Sequence, residues 1–156
     1  MISGAAVQRN ALKQDFPLVE PSVGAVRHRV RSFCTAIGCP AHAIDAARLI
    51  ASELATNAVR HAQGRASRAE FTLIVTLDGG KLDIAVWDYY PSPCPSLSNL
   101  ADVPAEAQCG RGLAMVCADA AGFTWTRTPV GKLVSAWIHV GETTTRRPDP
   151  TQVHLF

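Results

Sequence analysis

The sequence predicts an α+β fold, a two-layer sandwich with helices packed on one face of a mostly antiparallel mixed sheet. Three observations point to it. Two helix-period segments stand back to back, one over residues 22–37 and one opened by Pro40. Alternating runs at 71–77 and 82–87 are joined by Asp78-Gly79-Gly80, and runs at 123–128 and 133–140 by Pro129-Val130-Gly131, so both pairs read as hairpins. Finally, 156 residues with 47% hydrophobic and 18% charged content suit one domain with a single core.

Each element has a local reason. Residues 1–14 show no clear period and are expected to form a flexible arm. Residues 16–19 make a short edge strand at best, because Pro17 cannot donate a ladder hydrogen bond. Ser22 reads as a helix cap; Val23, Val26, Val30, Phe33 and Ile37 then recur at three- and four-residue steps, and Gly38 ends the helix. Phe71, Leu73, Val75 and Leu77 line one face of their strand, and Leu82, Ile84 and Val86 one face of the next. Pro91, Pro93, Pro95 and Pro104 keep residues 88–108 irregular, a surface loop able to lie over a site. A third helix is expected from Gly112 to about Ala121, and the polar residues 141–156 form a flexible tail.

Composition narrows the function. A net charge of +2 without a dense basic run gives no argument for nucleic acid, and no apolar run approaches a membrane span. No signal-peptide pattern opens the chain, so a cytoplasmic protein is expected. The five cysteines, an odd number, suit reduced thiols, and Cys34 and Cys39 with His28 and His42 match no standard zinc spacing. Trp87, Trp125 and Trp137 lie on strands and read as core or interface.

The chemistry concentrates on the second helix. Glu53, Asn57 and His61 stand four apart with Thr56 and Arg60 between them, so all five share a face. Ile44, Ala47, Ala51, Leu54, Ala55, Ala58 and Ala62 form the opposite face, where small side chains let the helix lie close to a sheet while the polar row faces a cleft. A carboxylate, an amide, a hydroxyl and two cationic-capable groups on one stripe suit phosphate and metal chemistry. His61 is read as structural, since a histidine on a crowded helix more often satisfies a local hydrogen bond.

Downstream stand Asp88, at a strand exit, and Gly110-Arg111-Gly112-Leu113, opening a helix. The ordered set resembles the GHKL ATPase superfamily, which includes gyrase B, MutL and histidine-kinase catalytic domains. The segment from Glu53 to His61 is similar to that of bacterial anti-sigma-factor serine/threonine kinases: Glu, three residues, Asn, Ala, then a His. The resemblance covers residues 16–140 and implies a histidine-kinase-like ATPase domain at 15–140 that binds ATP and Mg²⁺. It implies Asn57 as metal ligand, a neutral oxygen suited to octahedral Mg²⁺. Glu53 becomes the general base toward a serine hydroxyl or water. Asp88 becomes the adenine reader, accepting from the exocyclic amine. Gly110, Gly112 and Leu113 bring backbone N–H groups to the phosphates, and Arg60 or Arg111 neutralises phosphate charge. The chain departs from the family after Asp88, where Tyr89-Tyr90-Pro91-Ser92-Pro93 replaces the usual glycines.

The function implied is an ATP-dependent kinase that holds a sigma factor and phosphorylates an anti-sigma-factor antagonist, with partner switching through the added charge. The alternative is a non-catalytic GHKL-fold regulatory module that binds nucleotide weakly, motivated by Tyr89 and Tyr90. A detached histidine-kinase half fits less well, since no phosphoacceptor-histidine helix pair is visible. Homodimerisation through the edge strand and first helix is open.

Overall fold

The computed structural model describes residues 10–92 and 120–140. Strand β1 (Asn10–Pro17) precedes helices α1 (Pro21–Ala36) and α2 (Ala41–Ala62). Strands β2 (Glu70–Asp78), β3 (Lys81–Asp88), β4 (Gly122–Arg127) and β5 (Lys132–His139) follow. The five strands form one sheet in the order β1-β2-β3-β5-β4, with every neighbouring pair antiparallel. Both helices cover the same face, α2 lying chiefly on β3 and α1 packing on α2, so the α+β sandwich forms. The third helix expected from Gly112 lies, up to residue 119, outside the described residues, as does the loop beyond Ser92.

The N-terminal boundary differs from expectation. Strand β1 starts at Asn10, inside the stretch read as a loose arm, and pairs with β2 from Asn10↔Leu77 to Pro17↔Glu70. An edge strand buries little: Leu12 and Phe16 reach the core while Lys13, Gln14 and Asp15 stay exposed, so no apolar alternation announces it. Pairing is reinforced by Thr72 Oγ1, which donates to Asp15 Oδ1 at 2.6 Å. Pro17 closes the strand because it has no N–H.

Helix α1 begins at Pro21, whose ring presets the helical φ, rather than behind a Ser22 cap. Ser22 is buried inside the first turn and donates to the Pro17 carbonyl at 2.7 Å, tying helix to strand. At the other end Gly38 takes φ +81°, and the N–H groups of Gly38 and Cys39 donate to the carbonyls of Thr35 and Cys34. That double closure is the Schellman arrangement, and it needs a residue free to adopt positive φ. It also sets Cys39 close to Cys34, both of them buried free thiols. Burial, with Cys39 beside it, pushes the Cys34 thiol up to about 12. No group of three metal-ligating side chains forms among the described residues.

The core lies between α2 and the sheet. Ala43, Ala47, Ala51, Ala55, Ala58 and Ala62 are buried along α2 beside Ile50 and Leu54. They meet Leu73 and Val75 of β2, Leu82, Ile84 and Val86 of β3, and Val134, Ala136 and Ile138 of β5. Gly79 and Gly80, both at positive φ, turn β2 into β3 as a two-residue hairpin requires. On the other sheet face Trp87, Leu133 and Trp137 are half-buried, and the Lys81 ammonium lies 4.4 Å above the Trp137 ring. Trp125 instead packs against the core. No described helix is long and apolar enough to cross a membrane.

One close approach fixes the far end of the sheet. A Cβ on Gly131 would fall 2.2 Å from the Asp88 carbonyl oxygen and 2.5 Å from the Trp87 ring. Because the first of these is backbone, Gly131→Ala must displace the end of β3 and is expected to lower unfolding free energy by about 1–3 kcal/mol in urea titration. A second expectation concerns Cys34: peptide mapping after iodoacetamide treatment at neutral pH should find it unmodified in the folded protein and alkylated once urea unfolds the chain.

Candidate functional site

The polar row of α2 divides. Glu53 and Asn57, one turn apart, are both half-buried on the open side of the helix, and neither has a hydrogen-bond or ion-pair partner among the described residues. Thr56 and the exposed Arg60 line a groove of about 670 Å³ between α1 and α2, with Glu20, Val23, Gly24 and Arg27 on its other wall. His61 lies on the opposite flank, toward the end of the sheet. Burial, then the Lys132 charge, holds its imidazolium below the ordinary range; Arg60 and Arg65 add to this and Asp88 opposes it. The five side chains expected on one face therefore serve two surfaces, because positions three apart diverge by about 60° around the helix.

Asp88 closes β3 on the helix-covered face, in phase with Leu82, Ile84 and Val86, and is 1% exposed. Directly across the ladder stands Lys132, the first residue of β5, likewise 1% exposed. Its Nζ lies 3.5 Å from Asp88 Oδ2 and donates to Ser92 Oγ. The Tyr90 N–H donates to Asp88 Oδ1 at 2.9 Å. Burial raises the Asp88 carboxyl above the usual range, while Lys132, the Tyr90 N–H and His61 pull it back. Lys132 is the functional candidate that the sequence reading missed. The signal was present: its alternation with Val134, Ala136 and Ile138 places a cation on the core face.

The segment after β3 is held by the loop between α2 and β2. The Ser67 N–H donates to the Tyr89 carbonyl at 3.2 Å. The Arg68 guanidinium sits 4.9 Å over the Tyr89 ring and pairs with Glu70 at 2.7 Å, and Arg65 lies 6.0 Å over Tyr90. Asp88 is thus enclosed, with the Tyr90 N–H on one oxygen and Ser92 on its partner lysine, and a base amine reaches it only if its cover shifts. Gly110, Arg111, Gly112 and Leu113, expected to hold phosphates, lie outside the described residues.

The donor set fits magnesium nucleotide in its chemistry. Asn57 offers one neutral oxygen, and a Mg²⁺ held largely by phosphate oxygens and waters needs few ligands from the protein. Glu53, without a partner among the described residues, is a carboxylate one turn away, and Asp88 supplies acceptor oxygens near the carboxyl end of β3.

Comparison with known proteins identifies the family of the fold. The histidine kinase-like ATPase domain family matches residues 16–137. No curated protein gives a significant match. Among solved structures, the RsbU and RsbW domains of Rv1364c from Mycobacterium tuberculosis superpose with a TM-score of 0.63 at 20% identity, covering 83% of this chain. The chain spans only 31% of that protein. The SiaB–SiaC complex from Pseudomonas aeruginosa gives a TM-score of 0.61 at 13% identity over 81% of this chain and 88% of the other. The histidine kinase domain of the blue-light-activated kinase from Erythrobacter litoralis gives 0.51 at 18% identity, over 80% and 62%. At these identities the structures share the fold, and the family match spans both Glu53–Asn57 and Asp88: the chain belongs to the histidine kinase-like ATPase domain family.

Proposed function

We propose that this protein is an ATP-dependent serine/threonine kinase of the anti-sigma type, which sequesters a sigma factor and phosphorylates an antagonist of that sequestration. The observation that carries the reading is the Glu53–Asn57 pair, half-buried one turn apart and without a hydrogen-bond or ion-pair partner among the described residues, on a helix whose His61, one turn further, faces the charge of Asp88. Bound ATP with Mg²⁺ supplies the γ-phosphoryl group. Asn57 would hold the metal through its amide oxygen, and the metal would neutralise charge on the phosphates. Glu53 accepts the proton of the attacking serine or threonine hydroxyl, and Asp88 accepts the adenine amine. The segment Gly110-Arg111-Gly112-Leu113 binds the phosphates, with Arg60 as a further cation at the edge of the α1/α2 groove. Protein partners are supported by the resemblance of residues 53–61 to anti-sigma kinases and by the fold shared with SiaB–SiaC.

A second reading, a regulatory module without catalysis, is favoured by the sealed carboxylate and by Tyr89 and Tyr90 in place of glycines. Two substitutions separate the readings. Glu53→Ala is expected to reduce phosphoryl transfer from labelled ATP to an antagonist by about 10²–10⁴-fold while nucleotide binding persists; an undiminished rate defeats the catalytic role. Asn57→Ala is expected to abolish the magnesium-dependent part of ATP binding in calorimetry, and equal heats with and without the substitution would remove Asn57 from the site.

A further inference from the structure

We infer that Lys132 is a specificity-determining positioning residue: its buried ammonium, facing Asp88 across the β3–β5 ladder, keeps that carboxylate acceptor-only, so the site takes a purine bearing an amine at C6 and rejects one bearing a carbonyl. The inference rests on the proposed reading of Asp88 as the contact to the base.

A carboxylate reads a base amine because it can only accept. A neutral carboxylic acid both accepts and donates, so its O–H would also satisfy a carbonyl at C6. A buried carboxyl without a counter-charge drifts toward the neutral form. At Asp88 the enclosure is nearly complete, and burial does push the group upward. Among the described residues the opposing groups are Lys132 from β5, the Tyr90 N–H, and His61 from α2. His61 is a poor substitute for the lysine, since its own imidazolium is disfavoured by burial and by Lys132, Arg60 and Arg65. Lys132, with Nζ 3.5 Å from Asp88 Oδ2, is the cation set directly against the carboxylate.

Once the covering segment shifts, the carboxylate has lone pairs to offer a ligand. An ionised carboxylate offers about four lone-pair directions. Tyr90 takes one on Oδ1 and Lys132 approaches Oδ2, so directions remain for an exocyclic amine. The lysine is itself anchored, since a second N–H engages Ser92. Stability alone does not explain the pair, because a buried ion pair is often no better than an apolar pair of the same volume. Fixed charge at a reading carboxylate is what it supplies.

The test combines nucleotide binding with carbon NMR of the Asp88 side chain. The unsubstituted protein should prefer ATP to GTP by a ratio that stays flat between about pH 6 and 8, with Asp88 ionised throughout that range. Lys132→Met should lower the ATP:GTP ratio about tenfold or more, equivalent to about 1.4 kcal/mol, and make it rise with pH as Asp88 loses its proton. Lys132→Arg should restore both the ratio and the flat profile. A folded Lys132→Met protein with an unchanged, flat ratio overturns the inference, as does an unsubstituted Asp88 that takes up a proton within that range. Should Lys132→Met not fold, Asp88→Asn decides: its amide donates and accepts at every pH, so the ratio should fall without pH dependence, and a retained ratio overturns the inference. Failure of the unsubstituted protein to bind either nucleotide is a different result, which defeats the proposed nucleotide site itself and the selectivity with it.

Discussion

The arrangement depends on how closely α2 can lie against the sheet. Six alanines buried along its length give the helix a nearly flat underside, while Ile50 and Leu54 supply the larger contacts. Larger residues at the alanine positions would lift the helix, because a packed interior absorbs extra methylene groups only by shifting backbone. Lifting α2 would carry His61 away from the end of β3 and open the enclosure around Asp88. Close packing is therefore the condition for the polar chemistry. The same helix has to be apolar below and polar above, and alanine permits both without bulk.

At the carboxyl end of β3 the sheet carries a second constraint, electrostatic rather than steric. Asp88 and Lys132 each continue the inward-facing alternation of their strand, so register alone sets them opposite one another beneath the helix layer. Gly131 allows the approach, since its missing Cβ is where the Asp88 carbonyl sits. A one-residue slip of β5 would turn Lys132 to the other face and leave the aspartate without its cation, a costly outcome for a buried charge. The pair thus specifies register as well as local charge, and Gly131, at the end of the β4–β5 turn, lets the two strand ends meet.

Much of this was legible in the sequence because it is written in periodicity. Both helices, the Gly38 stop and the two hairpins follow from spacing and turn chemistry, and the Glu53–Asn57 stripe follows from the helical repeat. Strand β1 was not legible: an edge strand with two core residues in eight carries too little alternation, and its existence depends on pairing with β2, sixty residues away. Lys132 was overlooked for another reason. A lysine after a turn looks like a solvated residue, and only its phase with Val134 and Ala136 says otherwise. The division of the α2 stripe between two surfaces needed the position of α1, which a single helix cannot reveal. Residues 110–113, prominent in the sequence, lie outside the described part of the structure.

The tyrosines that replace glycine after Asp88 acquire a physical sense from their neighbours. Glycines would give this segment freedom to approach a ligand with its backbone, at the entropic cost of a chain that must be ordered each time. Tyr89 and Tyr90 instead lie beneath Arg68 and Arg65, and the Ser67 N–H holds the Tyr89 carbonyl. Each contact contributes about 0.5–1 kcal/mol at an exposed site, so together they hold a preferred conformation without locking it. The Tyr90 N–H then remains on Asp88 Oδ1 and Ser92 remains on Lys132, which fixes both members of the ion pair before any ligand arrives. Such preorganisation replaces backbone freedom with a fixed polar floor, and a ligand entering here has less ordering to impose. It must instead displace part of the cover. On the proposed reading of Asp88, affinity at this end of the site is therefore governed by the strength of the arginine–tyrosine contacts as much as by the aspartate they enclose.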